Sequence, residues 1–334
     1  FNHNLSDFRF EPGFIIIESL IRTISPNSFI LFQFVFAIFI NTVVFRFFYK
    51  NSPNPFLAII LYYFYYYLYF NCEIIRQACA ISFFLLAWQY FVTSKWIKYY
   101  LLSTCSFMMH TSGIVCLILP ILYCPIFRHY FSINWNYVLI IIITLIITVF
   151  NNLYFVEYIY QLNLFTSLNE RIETYSERIF DPSNNSIGLI NIFNGAIRNI
   201  LYPITAIFTM TYYKNKINIS QHIQFIIVIN SILGIAAVGV DMIFRICAYF
   251  FPFILLVLSQ WCYQTIILFG KKYRLSFLSW VIILLPIFVP PIKSFKIKVD
   301  GTNLYMGMRY YPYNSIIFEE KNSNREKLFT YIGY

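Results

Sequence analysis

Apolar runs long enough to cross a bilayer alternate along this chain with short gaps that collect its charges. Stretches such as Ser28–Phe45, Tyr137–Phe150 and Phe277–Val289, taken with their flanks, match the length a helix needs to cross a hydrocarbon layer about 30 Å thick. The pattern predicts spans over Ser28–Arg46, Pro55–Phe70, Glu73–Val92, Trp135–Asn151, Ile187–Tyr212, Gln221–Val240, Phe244–Phe269 and Leu275–Pro290. Tyr99–Cys124 is also apolar, but "HTSG" (His110–Gly113) interrupts it, with Lys95 and Lys98 before it and Arg128 after it. Basic residues at both ends favour two short helices that enter and return over one tilted span. The first 27 residues read as a polar external segment, and the start at Phe1 rather than Met leads us to expect an initial signal or helix before it.

This parity gathers Arg46, Lys50, Lys95, Lys98, Arg128, Lys214, Lys216, Lys271, Lys272 and Arg274 on one side, the cytoplasmic one by the positive-inside rule. Lys293, Lys296 and Lys298 run against the rule. The opposite side receives the N-terminal segment, the Asn71–Arg76 junction, the His110 turn, the loop 155–186, the Asp241–Arg245 junction and the tail 292–334. The expected organisation is one helical transmembrane domain over 1–291 and a C-terminal tail on the external face. Within the loop, "SLNERIETYSERIF" has helical spacing and reads as an amphipathic helix at the interface.

Composition agrees: 59% of the 334 residues are apolar, 22% aromatic and 11% charged, outside the range of soluble domains. The fold class expected is therefore all-α, a polytopic integral membrane protein. The net charge of +10 would point to nucleic acid in a soluble protein, but here the basic residues are topology signals and no nucleic-acid partner is expected. Seven scattered cysteines without a C-x-x-C pair read as apolar filler.

Ionisable residues within a membrane cost roughly 2.5 to 3.5 kcal/mol near its centre and persist mainly when paired or functional. Glu73 and Arg76 lie three apart and Asp241 and Arg245 four apart, spacings at which acid and base share a helix face. Each pair would serve simply to seat a helix end at the headgroups. Alternatively both pairs, with His110 and Glu11, line one pocket on one membrane face. Guanidinium suits bidentate capture of a diphosphate, and imidazole can accept a proton from a sugar hydroxyl; alone, His110 is also a plausible hydrogen-bonded helix-break residue. No Walker loop, G-x-G-x-x-G, H-E-x-x-H or Asp-x-Asp pair occurs near these groups, so an enzyme here would take an already activated, lipid-linked sugar diphosphate. A flippase, an O-antigen ligase, an acyltransferase and a structural subunit stay open on the residues alone.

Five segments in order resemble the EpsG family of polysaccharide polymerases, relatives of the Wzy-type O-antigen polymerases: "FEPGFIII" (Phe10–Ile17), "EIIRQACAISFFLLA" (Glu73–Ala87), "SFMMHTSGIVCLILP" (Ser106–Pro120), "FRICAYFFPF" (Phe244–Phe253) and "YYPYNSIIF" near the end. The resemblance implies about ten transmembrane or re-entrant helices in a GT-C-like, lipid-carrier-dependent glycosyltransferase of the bacterial inner membrane, acting on the outer face. It implies undecaprenyl-diphosphate-linked glycans and membrane lipids as partners, a chain-length regulator as a further one, and neither cofactor nor metal. Arg76 and Arg245 would hold the donor diphosphate, and His110, or failing that Glu73, would be the base. Glu11, Gln77, Asp241, Tyr249 and Ser112 would bind substrate, with Arg171 or Arg178 reaching the second lipid-linked substrate.

Overall fold

The computed structural model describes residues 11–25, 29–124, 206–207, 210, 219–236 and 241–269. These form α1 (Pro12–Ile24), α2 (Phe29–Asn51), α3 (Pro55–Tyr62), a π-helical stretch Tyr63–Glu73, α4 (Ile75–Val92), α5 (Trp96–Met109), a 3₁₀ turn Thr111–Gly113, α6 (Ile114–Leu122), α7 (Gln221–Ala236) and α8 (Asp241–Phe269). No strand occurs among the described residues. Three helices there are long and apolar enough to cross a membrane, over Ile30–Asn51, Ile75–Val92 and Ile243–Gln264. The expected spans Trp135–Asn151 and Leu275–Pro290, the loop 155–186 and the tail 292–334 lie outside the described residues, as does most of Ile187–Tyr212.

α4 and α8 form the spine. They run in the same direction, because the first turn of α4 meets the first turns of α8 (Gln77 Nε2 donates to the Arg245 carbonyl at 2.7 Å), while Trp88 meets Phe253 at 4.5 Å between ring centroids further on. Residues Phe250–Leu258 of α8 are buried throughout, so this helix is apolar all round because it is the centre of the bundle. α2 covers the other side, with Phe47 against Phe253 at 5.1 Å and Ser52 Oγ 3.1 Å from Ser259 Oγ.

The aromatic run Leu61–Phe70 is where the α-helical ladder opens into π geometry. Wider turns bring Tyr66 and Phe70 into a stack at 3.9 Å, and Tyr66 also stacks on Phe251 at 5.3 Å and donates its hydroxyl to the Ala248 carbonyl. π-helical turns of this kind are rare and concentrate at functional sites. This one ends at Glu73, beside the first turn of α4.

The break expected within Tyr99–Cys124 falls where α5 stops at Met109 and α6 starts at Ile114. α5 returns beside α4 after a tight turn in which Ser94 takes the left-handed conformation (φ 55°). Buried polar groups tie α5 to both neighbours: Ser106 Oγ donates to the Ala80 carbonyl of α4 at 2.7 Å, and Tyr99 donates to the Cys116 carbonyl of α6 at 2.5 Å.

The N-terminal segment, to which the sequence assigned no secondary structure, contains a helix over Pro12–Ile24. Pro12 opens α1 at its first position, where a missing N–H costs nothing, and Phe14, Ile17 and Ile21 pack against the core. The polar positions Glu18 and Arg22 pair across one turn at 2.6 Å; this i, i+4 pair masks the amphipathic period when the segment is read for hydropathy alone.

Candidate active site

Three chain ends meet at one end of the bundle: the entry to α1, the first turn of α4 and the turn between α5 and α6. The early part of α8 lies against them. Arg76 stands in the first turn of α4, and its Nη1 donates to Glu11 Oε2 at 2.5 Å. The same guanidinium lies 5.6 Å from the centre of the Phe14 ring, a cation–π placement. The other Glu11 oxygen, Oε1, accepts from the Thr111 backbone N–H at 3.4 Å. Glu11 thus ties α1 to both α4 and the His110 turn, and its side chain is only 14% exposed against 33% for Arg76.

Gly13 makes this reach possible. A Cβ on Gly13 would lie 2.8 Å from the Met108 carbonyl oxygen, so α1 and the last turn of α5 approach more closely than any side chain permits. Gly13→Ala should displace a backbone rather than a flexible side chain and cost about 1–3 kcal/mol. Thermal unfolding of the detergent-solubilised variant checks this. A melting temperature equal to that of the wild type would show that the approach carries no weight.

His110 ends α5 in extended conformation (φ −159°, ψ 132°) and is 5% exposed. Its Nδ1 lies 2.6 Å from Ser112 Oγ and accepts the Ser112 backbone N–H at 3.2 Å. Ser112 Oγ is in turn 3.3 Å from the hydroxyl of Tyr249, a wholly buried residue of α8. Burial pushes the His110 imidazole down to about 4; Glu11 raises it, while Arg245 and Arg76 lower it further. The ring is therefore uncharged at neutral pH. Glu11, Arg76 of α4 and Arg245 of α8 are thus all in electrostatic range of this one ring.

Gln77 is completely buried, and its amide holds the backbone of Arg245 against the first turn of α4. A hydrogen bond of this kind contributes about 1 kcal/mol and fixes the separation of the two helices that carry the arginines. Its Oε1 has no hydrogen-bond partner among the described residues.

The expected Glu73–Arg76 pairing rested on one continuous helix. Ile74 (φ −112°, ψ 55°) separates the π-helical stretch that ends at Glu73 from α4; Arg76 pairs with Glu11, and the expected pairing with Glu73 falls on a side chain outside the described residues. Glu73 and Asp241 stand at helix ends, and their side chains are outside the described residues, as are Arg171 and Arg178. Sequence reasoning assigned no role to Gly13, Phe14 or the Thr111 N–H. The glycine and the aromatic were visible in "EPGF"; the backbone donor had no sequence signal. A cavity of about 300 Å³ lined by Asn41, Phe45, Ile59, Tyr62, Tyr63 and Tyr67 shares no lining residue with this cluster.

A helical bundle with membrane-length apolar helices and an ionised, partly buried cluster at one end defines a class: an integral membrane protein with a polar site at the end of its bundle. The model of the EpsG family matches residues 1–315. The chain belongs to the EpsG family, which is associated with polysaccharide polymerases. No curated protein and no solved structure matches it.

Proposed function

We propose that this protein polymerises undecaprenyl-diphosphate-linked oligosaccharide repeat units into O-antigen, capsule or exopolysaccharide at the outer face of the bacterial inner membrane. The observation that carries the reading is that Gln77 holds the Arg245 backbone of α8 against the first turn of α4, which bears Arg76, with both guanidiniums in electrostatic range of one buried imidazole. Two guanidiniums permanently charged on separate helices suit a diphosphate, whose oxygens take bidentate contacts and whose charge rises as it leaves. In this reading the hydroxyl of the non-reducing sugar on an incoming repeat unit bonds to the anomeric carbon of the growing glycan. The bond from that carbon to the diphosphate oxygen breaks, undecaprenyl diphosphate departs with the electron pair, and the hydroxyl proton passes to a base of the cluster.

The remainder of the assignment extends the same reading. The bundle is GT-C-like, with about ten transmembrane or re-entrant helices, and the loop 155–186 brings Arg171 or Arg178 to the second lipid-linked substrate. Tyr249, Ser112, Gln77 and Asp241 line or brace the sugar site, and a chain-length regulator is a fitting partner. The basic residues Lys50, Lys95 and Lys98 stand at the opposite ends of α2, α4 and α5 from the cluster, an arrangement that supports an external site under the positive-inside rule.

Deleting the gene and examining the surface glycan tests this. A polymerase leaves single repeat units on the surface. Trapped lipid-linked precursor with no surface glycan would instead identify a flippase, and free lipid-linked polymer a ligase.

A further inference from the structure

The hydrogen bonds around His110 fix which ring nitrogen carries its proton. The Ser112 backbone N–H can only donate, and it points at Nδ1 from 3.2 Å; Nδ1 therefore presents its lone pair. Turning the ring over would put a carbon 2.6 Å from Ser112 Oγ, well inside van der Waals contact, so the ring orientation follows from packing as well as from hydrogen bonding. Ser112 Oγ donates to the Tyr249 hydroxyl at 3.3 Å, so its hydrogen points away from the ring, and it is the Ser112 backbone N–H that holds the Nδ1 lone pair. A neutral imidazole holding its lone pair on Nδ1 carries its hydrogen on Nε2. Nε2 lies on the opposite edge of the ring and has no hydrogen-bond partner among the described residues.

We infer that His110 is a hydrogen-bond donor to the substrate through Nε2–H, contacting an oxygen of the departing diphosphate, and not the base that removes the acceptor proton. The inference takes its substrate from the polymerase reading above. A ring whose only outward nitrogen already carries hydrogen cannot accept a proton there, and the other nitrogen is shut in by Ser112. The hydroxyl proton of the acceptor sugar then passes to a carboxylate, and among the described residues Glu11 is the one that stands at the cluster. The new glycosidic bond, the broken bond to the diphosphate and the carboxylate-bound proton close the balance, and His110 keeps its hydrogen throughout. Its contribution is electrostatic: it adds a neutral dipole in range of Arg76 and Arg245, where negative charge accumulates.

Two measurements decide the point. Among His110→Ala, His110→Asn and His110→Gln, only glutamine carries an N–H at the reach of Nε2, whereas asparagine reproduces the Nδ1 end. Alanine should lower polymer formation by about 100-fold or more, as loss of a preorganised donor does. Glutamine should recover to within about tenfold of wild type, with asparagine close to alanine. Nitrogen NMR of the purified protein with ring-labelled histidine, the His110 signal being assigned by elimination on replacing His3, His129 and His222 in turn, should show a neutral ring bearing hydrogen on Nε2. Hydrogen on Nδ1, or a folded glutamine variant no better than alanine, overturns the inference. The NMR result needs no substrate and stands even if the His110 variants do not fold. Its failure is thereby separate from failure of the polymerase reading, which the repeat-unit assay decides.

Discussion

Replacing Arg76 or Arg245 by alanine is expected to abolish polymer while single repeat units are still made and the protein still inserts into the membrane. Each arginine sits near the start of its helix, at one end of the bundle, and neither belongs to the apolar interior that holds the bundle together. Losing one guanidinium removes charge-assisted contacts worth about 1.5–3 kcal/mol from the diphosphate and more from its departing form. Lysine should rescue poorly at either position, because an ammonium keeps the charge but not the planar fork. Polymer length on gels, with immunoblotting of membrane fractions to establish insertion, reads the outcome; normal chain lengths in both alanine variants would remove the diphosphate assignment.

Substitution of Glu11 is expected to be nearly as severe, for a different reason. Its two oxygens join Arg76 to the Thr111 backbone, so the residue positions one substrate-binding arginine and the turn that presents His110. Glu11→Ala should lose both bonds and about 1–3 kcal/mol of stability. Glu11→Gln keeps an oxygen for the Thr111 N–H but loses the charge facing Arg76, so stability should fall less while polymer is still lost. Unfolding curves alongside chain-length analysis separate the two effects, and a glutamine variant making wild-type polymer would show that the carboxylate charge has no part in the reaction.

Hydropathy located the long elements well because their burial demands are written in composition: α2, α4 and α8 lie within a few residues of the spans expected from apolar runs. The break at His110 was legible from the same logic, since a polar Thr-Ser-Gly sequence and flanking lysines disagree with continuous crossing. α1 was not legible. It is short and amphipathic, and what makes it a helix is packing of Phe14, Ile17 and Ile21 on elements distant in sequence. The pairing at the site was hidden in a similar way. Spacing pointed from Arg76 to Glu73, whose side chain lies outside the described residues, and gave no sign of Glu11, a partner 65 positions away. What the sequence did convey was that Glu11, Arg76, His110 and Arg245 are membrane-associated polar residues needing partners. The partners are a property of the packed bundle.

The central claim is that guanidiniums from two helices hold one diphosphate, and binding of a short-chain polyprenyl diphosphate to the purified protein measures it without requiring catalysis. The wild type should bind the diphosphate more tightly than the matching monophosphate, and Arg76→Ala and Arg245→Ala should each weaken diphosphate binding by about 10- to 100-fold. Equal affinity for the diphosphate in the wild type and in both variants would contradict it.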